Sequence, residues 1–419
     1  MSVRGPLSAD LRRPVLVTAS LVALSLGTAA CSGAQGADRS DASPAAKSSS
    51  VGSPAATSKP PKAEPVRINS NIASGQTDVS VDTVLKLTAD SGTLEKVSVV
   101  GRGEEEVRLP GTLATDGSSW RATERLEPGS TYAVNMVTTN SDGDEVKKRR
   151  TFETAPLTLD QQTYPNISPL QDETVGVGMP IIIGFDVPVQ DKASIERHLS
   201  VRASGAVDGA WRWYSDTEVH FRPRTYWRPG ATVTVKADIN GVDAGNGVYG
   251  QLDREVSFAV GKSVISKIDI KKHRMQVYVN GSLARTIAVT TGKKGFETRS
   301  GTKVIIEKFE KKRMDAATTG VSEDDPEYYD IEDVPYALRV TYSGEFVHGA
   351  PWSTGAQGNA NVSHGCVGMS VSDARWLYGQ TRRGDVVEVK GSKRHLEDGN
   401  GWTDWDLPFW KYRQGSALS

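Results

Sequence analysis

Between Val66 and about Val260 the chain is written in short apolar–polar alternations broken by turn residues. Val79-Ser-Val81, Val84-Leu-Lys-Leu87, Val97-Ser-Val99 and Tyr132-Ala-Val-Asn-Met136 alternate with period two. That spacing puts one face of a strand into a core and leaves the other in water. Asp90-Ser-Gly92, Thr115-Asp-Gly-Ser118, Glu127-Pro-Gly129 and Ser141-Asp-Gly143 mark turns between them. No helical period of useful length interrupts the pattern. Leu126-Glu-Pro-Gly-Ser-Thr-Tyr-Ala-Val134 returns as Trp227-Arg-Pro-Gly-Ala-Thr-Val-Thr-Val235, so the scheme repeats. Ile181–Ile183 and Phe185–Val187 are expected as buried strands, with Trp211, Trp213 and Tyr214 as core or edge aromatics. The pattern predicts two tandem immunoglobulin-like β-sandwiches, residues 66–155 and 156–262.

The alternation continues past Val264. Ile265, Ile268 and Ile270, then Met275–Val279 and Leu283–Thr290, read as strands, with Asn280-Gly281 as a hairpin turn between the last two. Further strands are expected at Lys303–Lys308, Ala337–Tyr342, Glu345–Val347 and Asp385–Val389. One helix is predicted from Val371 to about Thr381, with Ser370-Val-Ser-Asp373 as a capping box. Residues 263–391 thus form a mostly β domain with one short helix. A Trp-rich extension follows at 392–419. The class is all-β dominated and multidomain.

The first 65 residues follow other rules. Arg4, Arg12 and Arg13 precede an uncharged stretch, Pro14–Ala30, that ends in small residues before Cys31. This reads as a signal peptide over 1–30, too short for a stable span. Thr28-Ala-Ala-Cys31 resembles a bacterial lipobox, which implies lipidation of Cys31 and anchoring to the outer face of the membrane. The usual Leu three before the cysteine is Thr28 here. A signal peptide cut near Ala30, or an uncleaved anchor, is the other reading. Ser32–Pro65 is Ser, Ala, Pro and Gly with almost nothing to bury, so 31–65 is expected as lipid anchor and disordered linker.

Composition narrows the chemistry. Fifty basic and 51 acidic residues leave a net charge of −1, which gives no reason to expect nucleic acid. Lys147–Arg150 and Glu104–Glu106 read as solvated faces, a polyanion contact being the alternative for the basic run. Only two cysteines, Cys31 and Cys366, occur in 419 residues, which excludes a disulfide scaffold and a four-cysteine zinc site. The glycine-rich segment 291–302 lacks the Gly-Lys-Ser/Thr ending of a phosphate cradle.

An unpaired thiol in an exported protein is a liability that calls for a use. Cys366 lies in Ser363-His-Gly-Cys-Val-Gly-Met-Ser370, after Phe346-Val-His-Gly-Ala-Pro-Trp352. A thiolate nucleophile needs a base or a positive field, which His348 at a strand end can supply. Gly365 permits a tight turn, and N–H groups around it can hold an oxyanion. His364 can orient the turn or add a second imidazole. Two rival roles remain: an inert buried thiol, or a zinc site from His348, His364 and Cys366, which lacks the usual spacing and a fourth ligand.

Val347-His-Gly-Ala-Pro-Trp352 with Val362-Ser-His-Gly-Cys-Val367 resembles the signature of the L,D-transpeptidase (YkuD) catalytic domain. Thr291–Thr302, Arg382–Val389 and the tail Trp402–Trp410 are similar to that family's glycine-rich segment, terminal strand and actinobacterial Trp-rich extension. The resemblance implies that Cys366 attacks the diaminopimelate–D-Ala bond of a tetrapeptide stem. His348 would be the base, its other nitrogen held by the Gly349 carbonyl. N–H groups of His364, Gly365 and Cys366 would form the oxyanion hole. A second stem would resolve the thioester as a 3→3 cross-link. Partners implied are peptidoglycan stem peptides and, as inhibitors, carbapenem β-lactams; no cofactor or metal is implied. Trp352 and Ser363 are expected at the substrate, with Met314 and Tyr328 or Tyr329 from a lid over Arg313–Pro335. Gly368 stands where the family has Asn, and Arg299 where it often has Pro; the latter is expected to alter loop shape only. L,D-carboxypeptidase activity, or a catalytically weak wall-binding or scaffolding role, are the alternatives.

Overall fold

The computed structural model describes residues 63–419. The predicted signal peptide, the lipidation site Cys31 and nearly all of the linker lie outside the described residues.

The first sandwich has two four-stranded sheets. One orders strands Arg67–Ser70, Lys86–Asp90, Ser119–Ala122 and Gly111–Leu113; the other orders Glu106–Leu109, Thr93–Arg102, Thr131–Thr139 and Glu145–Glu153. Leu87, Leu94, Val99, Trp120, Val134 and Met136 meet between them. Val79-Ser-Val81 is no strand: Val79 makes only an isolated bridge to Thr154, although both valines are buried. Burial there, and not pairing, accounts for the alternation.

The second sandwich repeats the architecture with sheets Pro165–Ser168, Ile181–Phe185, Glu218–Pro223, Gly209–Trp213 and Thr174–Val175, Arg254–Val260, Thr232–Ala237, Leu199–Ala203. The two expected strands near Ile181 are one, Ile181–Phe185. The repeated motif occupies equivalent places. Leu126 and Trp227 are buried, Gly129 and Gly230 take positive φ, and a central strand follows each.

In the last third, one sheet orders Ser282–Ala288, Arg274–Val279, Val264–Asp269, Val386–Lys390 and Gly301–Val304; a second orders Glu307–Asp315, Asp330–Arg339, Phe346–Gly349 and Val367–Met369. The expected strand Lys303–Lys308 is split, because the chain changes sheets at Ile305-Ile306, two buried residues. The expected lid over Arg313–Pro335 is the tip, residues 316–329, of a long hairpin of Glu307–Asp315 against Asp330–Arg339, with the strand ends on either side. Arg313 and Asp330 clamp its base at 2.7 Å, and the tip holds a 3-10 turn at Ala316–Thr319. The helix spans Val371–Gln380; Ser370 Oγ accepts the Asp373 N–H at 3.1 Å, which is half of the expected capping box.

The Trp-rich tail folds back onto the second sandwich. Trp405 Nε1 donates to the Gly178 carbonyl at 2.7 Å, and Arg222 lies against Trp405, Phe409 and Tyr412 while donating to the Leu407 carbonyl at 2.8 Å. Asp404, buried, bonds His220 Nδ1 at 3.0 Å and Tyr412 Oη at 3.0 Å. Val304, Ile306, Val386 and Trp402 continue the core of the second sandwich into the last domain. Apolar burial and one buried charge pair therefore tie the two together.

Burial alone lowers the His220 pKa, but Asp404 and Glu218 more than reverse this and carry it up to about 9. A raised histidine contributes stability that is complete below about pH 6.5 and is lost as pH rises through about 9. Stability should fall by on the order of a few kcal/mol across that window. In His220→Gln, calorimetric melting should lose most of this pH dependence; an unchanged pH profile would contradict the assignment.

Candidate active site

The site is built where two strands run parallel. Phe346–Gly349 pairs with Val367–Met369 in the register Val347↔Val367, His348↔Gly368 and Gly349↔Met369. Parallel partners need a crossover of about a dozen residues or more, and Ala350–Cys366 provides it. Side chains alternate along a strand, so Cys366 shares the face of Gly368 and hence of His348. Both line one cleft of about 250 Å³ with Met314, Tyr329, Trp352 and Ser363.

Cys366 is buried among Ala337, Phe346, Phe309 and Met314. Its Sγ accepts the Phe346 N–H at 3.4 Å and donates to the Gly344 carbonyl at 3.6 Å. Burial pushes the thiol up to about 12. His348 Nδ1 lies 2.8 Å from the Gly349 carbonyl. A carbonyl only accepts, so Nδ1 carries the proton and Nε2 is the free base. Burial lowers the His348 pKa, against the raising effect of that carbonyl. Both groups are therefore uncharged at neutral pH: a thiol and an imidazole, not an ion pair. Trp352, half exposed, stacks on the His348 ring at 5.8 Å.

The turn before Cys366 is held from inside. Gly365 has φ +119°, a conformation that side chains rarely adopt. Ser363 Oγ accepts the Gly365 N–H at 3.2 Å and donates to the Cys366 carbonyl at 2.6 Å. Thr298 Oγ1 donates to the Gly365 carbonyl at 2.7 Å. The Gly365 N–H is thus taken up by Ser363. The N–H groups of His364 and Cys366 bond nothing among the described residues. His364 Nε2 turns to Glu327 at 2.7 Å, with Phe296 edge-on and Tyr329 beside its ring. It orients the turn and is no second imidazole for the thiol. With His364 Nε2 on Glu327, His348, His364 and Cys366 do not converge as a metal-holding group among the described residues.

Of the two candidate tyrosines, Tyr329 lines the cleft and Tyr328 does not. Gly368 lines the cleft as well. A Cβ there would lie 3.0 Å from both Ala350 Cβ and Thr290 Cγ2. Thr290 and Gly368 exchange two backbone hydrogen bonds of 2.9 Å. Backbone pairing holds this position, so the turn does not depend on an amide side chain.

A buried charge cluster lies behind Cys366, and the sequence reading missed it. Glu345 is buried and accepts from the Arg299 N–H and Nη1, each at 3.0 Å, and from Lys303 Nζ. Arg299 also pairs with Glu397. Burial drives the Lys303 pKa down, opposed by Glu345. Arg299, expected to affect loop shape, joins the glycine-rich segment through Glu345 to the start of the strand that carries His348. A lysine at the head of the apolar run Lys303-Val-Ile-Ile306 was the available signal, because a buried ammonium needs a partner.

Comparison with known proteins agrees with this geometry. Residues 76–243, spanning parts of both sandwiches, match a bacterial Ig domain, and residues 263–389 match the L,D-transpeptidase catalytic domain. L,D-transpeptidase 2 of Mycobacterium tuberculosis (strain CDC 1551 / Oshkosh) is 33% identical over 97% of this chain and 96% of its own length. L,D-transpeptidase 5 of Mycobacterium tuberculosis (strain ATCC 25618 / H37Rv) is 32% identical over 84% of this chain and 77% of its own. Among solved structures, an L,D-transpeptidase in complex with imipenem is 32% identical and covers 54% of this chain and 97% of that one, with a TM-score of 0.48. On identity sustained along nearly the whole of both chains, this protein belongs to the L,D-transpeptidase family.

Proposed function

We propose that this protein forms 3→3 cross-links between peptidoglycan stem peptides through a thioester on Cys366. The observation that carries this reading is the parallel register that sets His348, its Nδ1 tied to the Gly349 carbonyl, beside the strand that follows Cys366. The thiol turns from the Gly344 carbonyl toward Nε2 of His348. Its proton moves to Nε2 as Sγ bonds the carbonyl carbon of the donor stem's diaminopimelate. The oxyanion is met by the His364 and Cys366 N–H groups. The C–N bond to the terminal D-Ala then breaks, and Nε2–H protonates the leaving amine. The diaminopimelate amine of a second stem attacks the thioester, gives its proton to Nε2, and the thiol is restored. The chemistry uses no cofactor. Trp352, Tyr329 and Met314 form the walls that receive the stem.

We place the protein on the outer face of the cell membrane. Residues 1–30 act as a signal peptide, Cys31 carries the lipid, and 31–65 form the tether. Spacers at 66–155 and 156–262 carry the catalytic domain, 263–391, into the wall, and 392–419 lock it to the second spacer.

A carbapenem is a strained acyl donor for such a thiol. Intact mass should show one covalent adduct on the wild type and none on Cys366→Ala; an unmodified wild type would overturn the enzyme reading. Muropeptide products should be tetrapeptide dimers, whereas free tripeptide alone would mean a carboxypeptidase.

Because the resting thiol is un-ionised, iodoacetamide alkylation of Cys366 should accelerate by about tenfold per pH unit across neutrality. A plateau from pH 6 to 8 would indicate a standing thiolate–imidazolium pair instead. Carbapenem acylation should stay level on acidification until pH falls through the depressed His348 pKa, below 6.5.

Glu345→Gln leaves Lys303 and Arg299 buried without their shared carboxylate. It should cost about 3–5 kcal/mol in urea unfolding; a loss under about 1 kcal/mol would mean the cluster is solvated.

A further inference from the structure

The first sandwich contributes nothing to the cleft, yet one of its faces is built for a ligand. On the sheet of Glu106–Leu109, Thr93–Arg102, Thr131–Thr139 and Glu145–Glu153, Lys96 aligns with Val137 and Lys147, and Ser98 with Asn135 and Arg149. Arg108 stands opposite Val100 on the next strand. Val99, Val134 and Met136, the alternate residues, fill the core. Lys96, Arg108, Lys147 and Arg149 therefore project from the outer face, and all four are exposed. They border a shallow concavity of about 750 Å³ with Ser98 and Asn135 in its middle. Among the described residues none of the four has an ion-pair partner. The acidic groups of this face lie toward its ends. Glu106 is already paired with Arg102, and Glu153 and Glu145 sit at opposite ends of the last strand. Like charges gathered without partners cost energy through mutual repulsion, and an anion relieves that cost.

The other half of the same basic run shows which anion is within reach. Lys148 and Arg150 point inward and donate to the carbonyls of Val66 and Ile68. The Ala63 N–H bonds Asp142 at 2.9 Å, in the hairpin that precedes the basic strand. The segment arriving from Cys31 thus joins the fold along the strand that carries Lys147 and Arg149. Only residues 32–62 separate Cys31 from the first described residue of the fold. A lipid at Cys31 would tether this face to the bilayer through that short stretch of chain, where even weak attraction is amplified by local concentration.

We infer that the basic concavity of the first sandwich docks on anionic phospholipid headgroups of the membrane. Lys96, Arg108, Lys147 and Arg149 take the phosphates, and Ser98 and Asn135 supply neutral hydrogen bonds. The anchor of the proposed function supplies only proximity, so the face can be tested without it.

The test uses the chain from residue 32 onward, which carries no lipid and contains every described residue. It should co-sediment with vesicles of phosphatidylglycerol and phosphatidylcholine, not with phosphatidylcholine alone, and should be released as salt rises toward about 1 M. Lys96→Glu/Lys147→Glu/Arg149→Glu should weaken vesicle binding by at least about tenfold while melting within a few degrees of the wild type. Arg108→Glu alone should weaken it measurably, and serves if the triple variant fails to fold. No sedimentation with anionic vesicles, or undiminished binding by these variants, would overturn the proposal. Capture by soluble polyphosphate with no vesicle binding would overturn it in favour of a wall polyanion.

Discussion

The parallel pairing of Phe346–Gly349 with Val367–Met369 is the constraint on which the rest of the site depends. Its register, His348 against Gly368, fixes the imidazole beside the strand that leaves Cys366. A slip of one residue would turn the thiol to the opposite face of the sheet from the imidazole. Much of the surrounding structure serves to prevent that slip. Thr290 pairs with Gly368 by two backbone bonds, Ala350 bonds the Met369 carbonyl, and Ser363 ties the turn on which Cys366 sits. The helix after Val371 packs against this sheet through Ala374 and Leu377.

Electrostatics adds a second layer. Burial leaves the His348 imidazole and the Cys366 thiol uncharged at neutral pH, so in the proposed mechanism charge separates only as the thiol attacks. In the proposed setting outside the membrane this is an advantage, because the thiol and not the thiolate resists oxidants. Arg299, Glu345 and Lys303 lie behind the nucleophile and bridge the glycine-rich segment, the strand before His348 and the first sheet. Buried ion pairs seldom increase net stability over apolar packing, but breaking one is expensive. The cluster therefore makes departures from this one arrangement costly, and that is how a site of two neutral side chains keeps its geometry.

The sequence disclosed what is local. Turn glycines, the Asn280-Gly281 hairpin, the helix from Val371 and the motif around Cys366 all depend on neighbours along the chain. The repeat at Leu126 and Trp227 was legible for the same reason. What it hid depends on residues far apart. Glu345 meets Arg299 and Lys303, Glu327 meets His364, and Ser363 consumes the Gly365 N–H that the motif suggested was free for substrate. The hairpin of Glu307–Asp315 with Asp330–Arg339 looked like a loop because its charged, exposed residues, Arg313 and Asp330 among them, mask the strand alternation. Tyr328 and Tyr329 were indistinguishable until the direction of the chain between them was known.

The central claim is that His348 rests as a neutral imidazole with its proton on Nδ1, next to an un-ionised Cys366. Nitrogen NMR of the full described chain with labelled histidine reads this directly at neutral pH. The account predicts a protonated Nδ1 and a bare Nε2 for His348, with charging only as pH falls below 6.5, and the same ring state in Cys366→Ser. An imidazolium signal at neutral pH that vanishes in Cys366→Ser would contradict it.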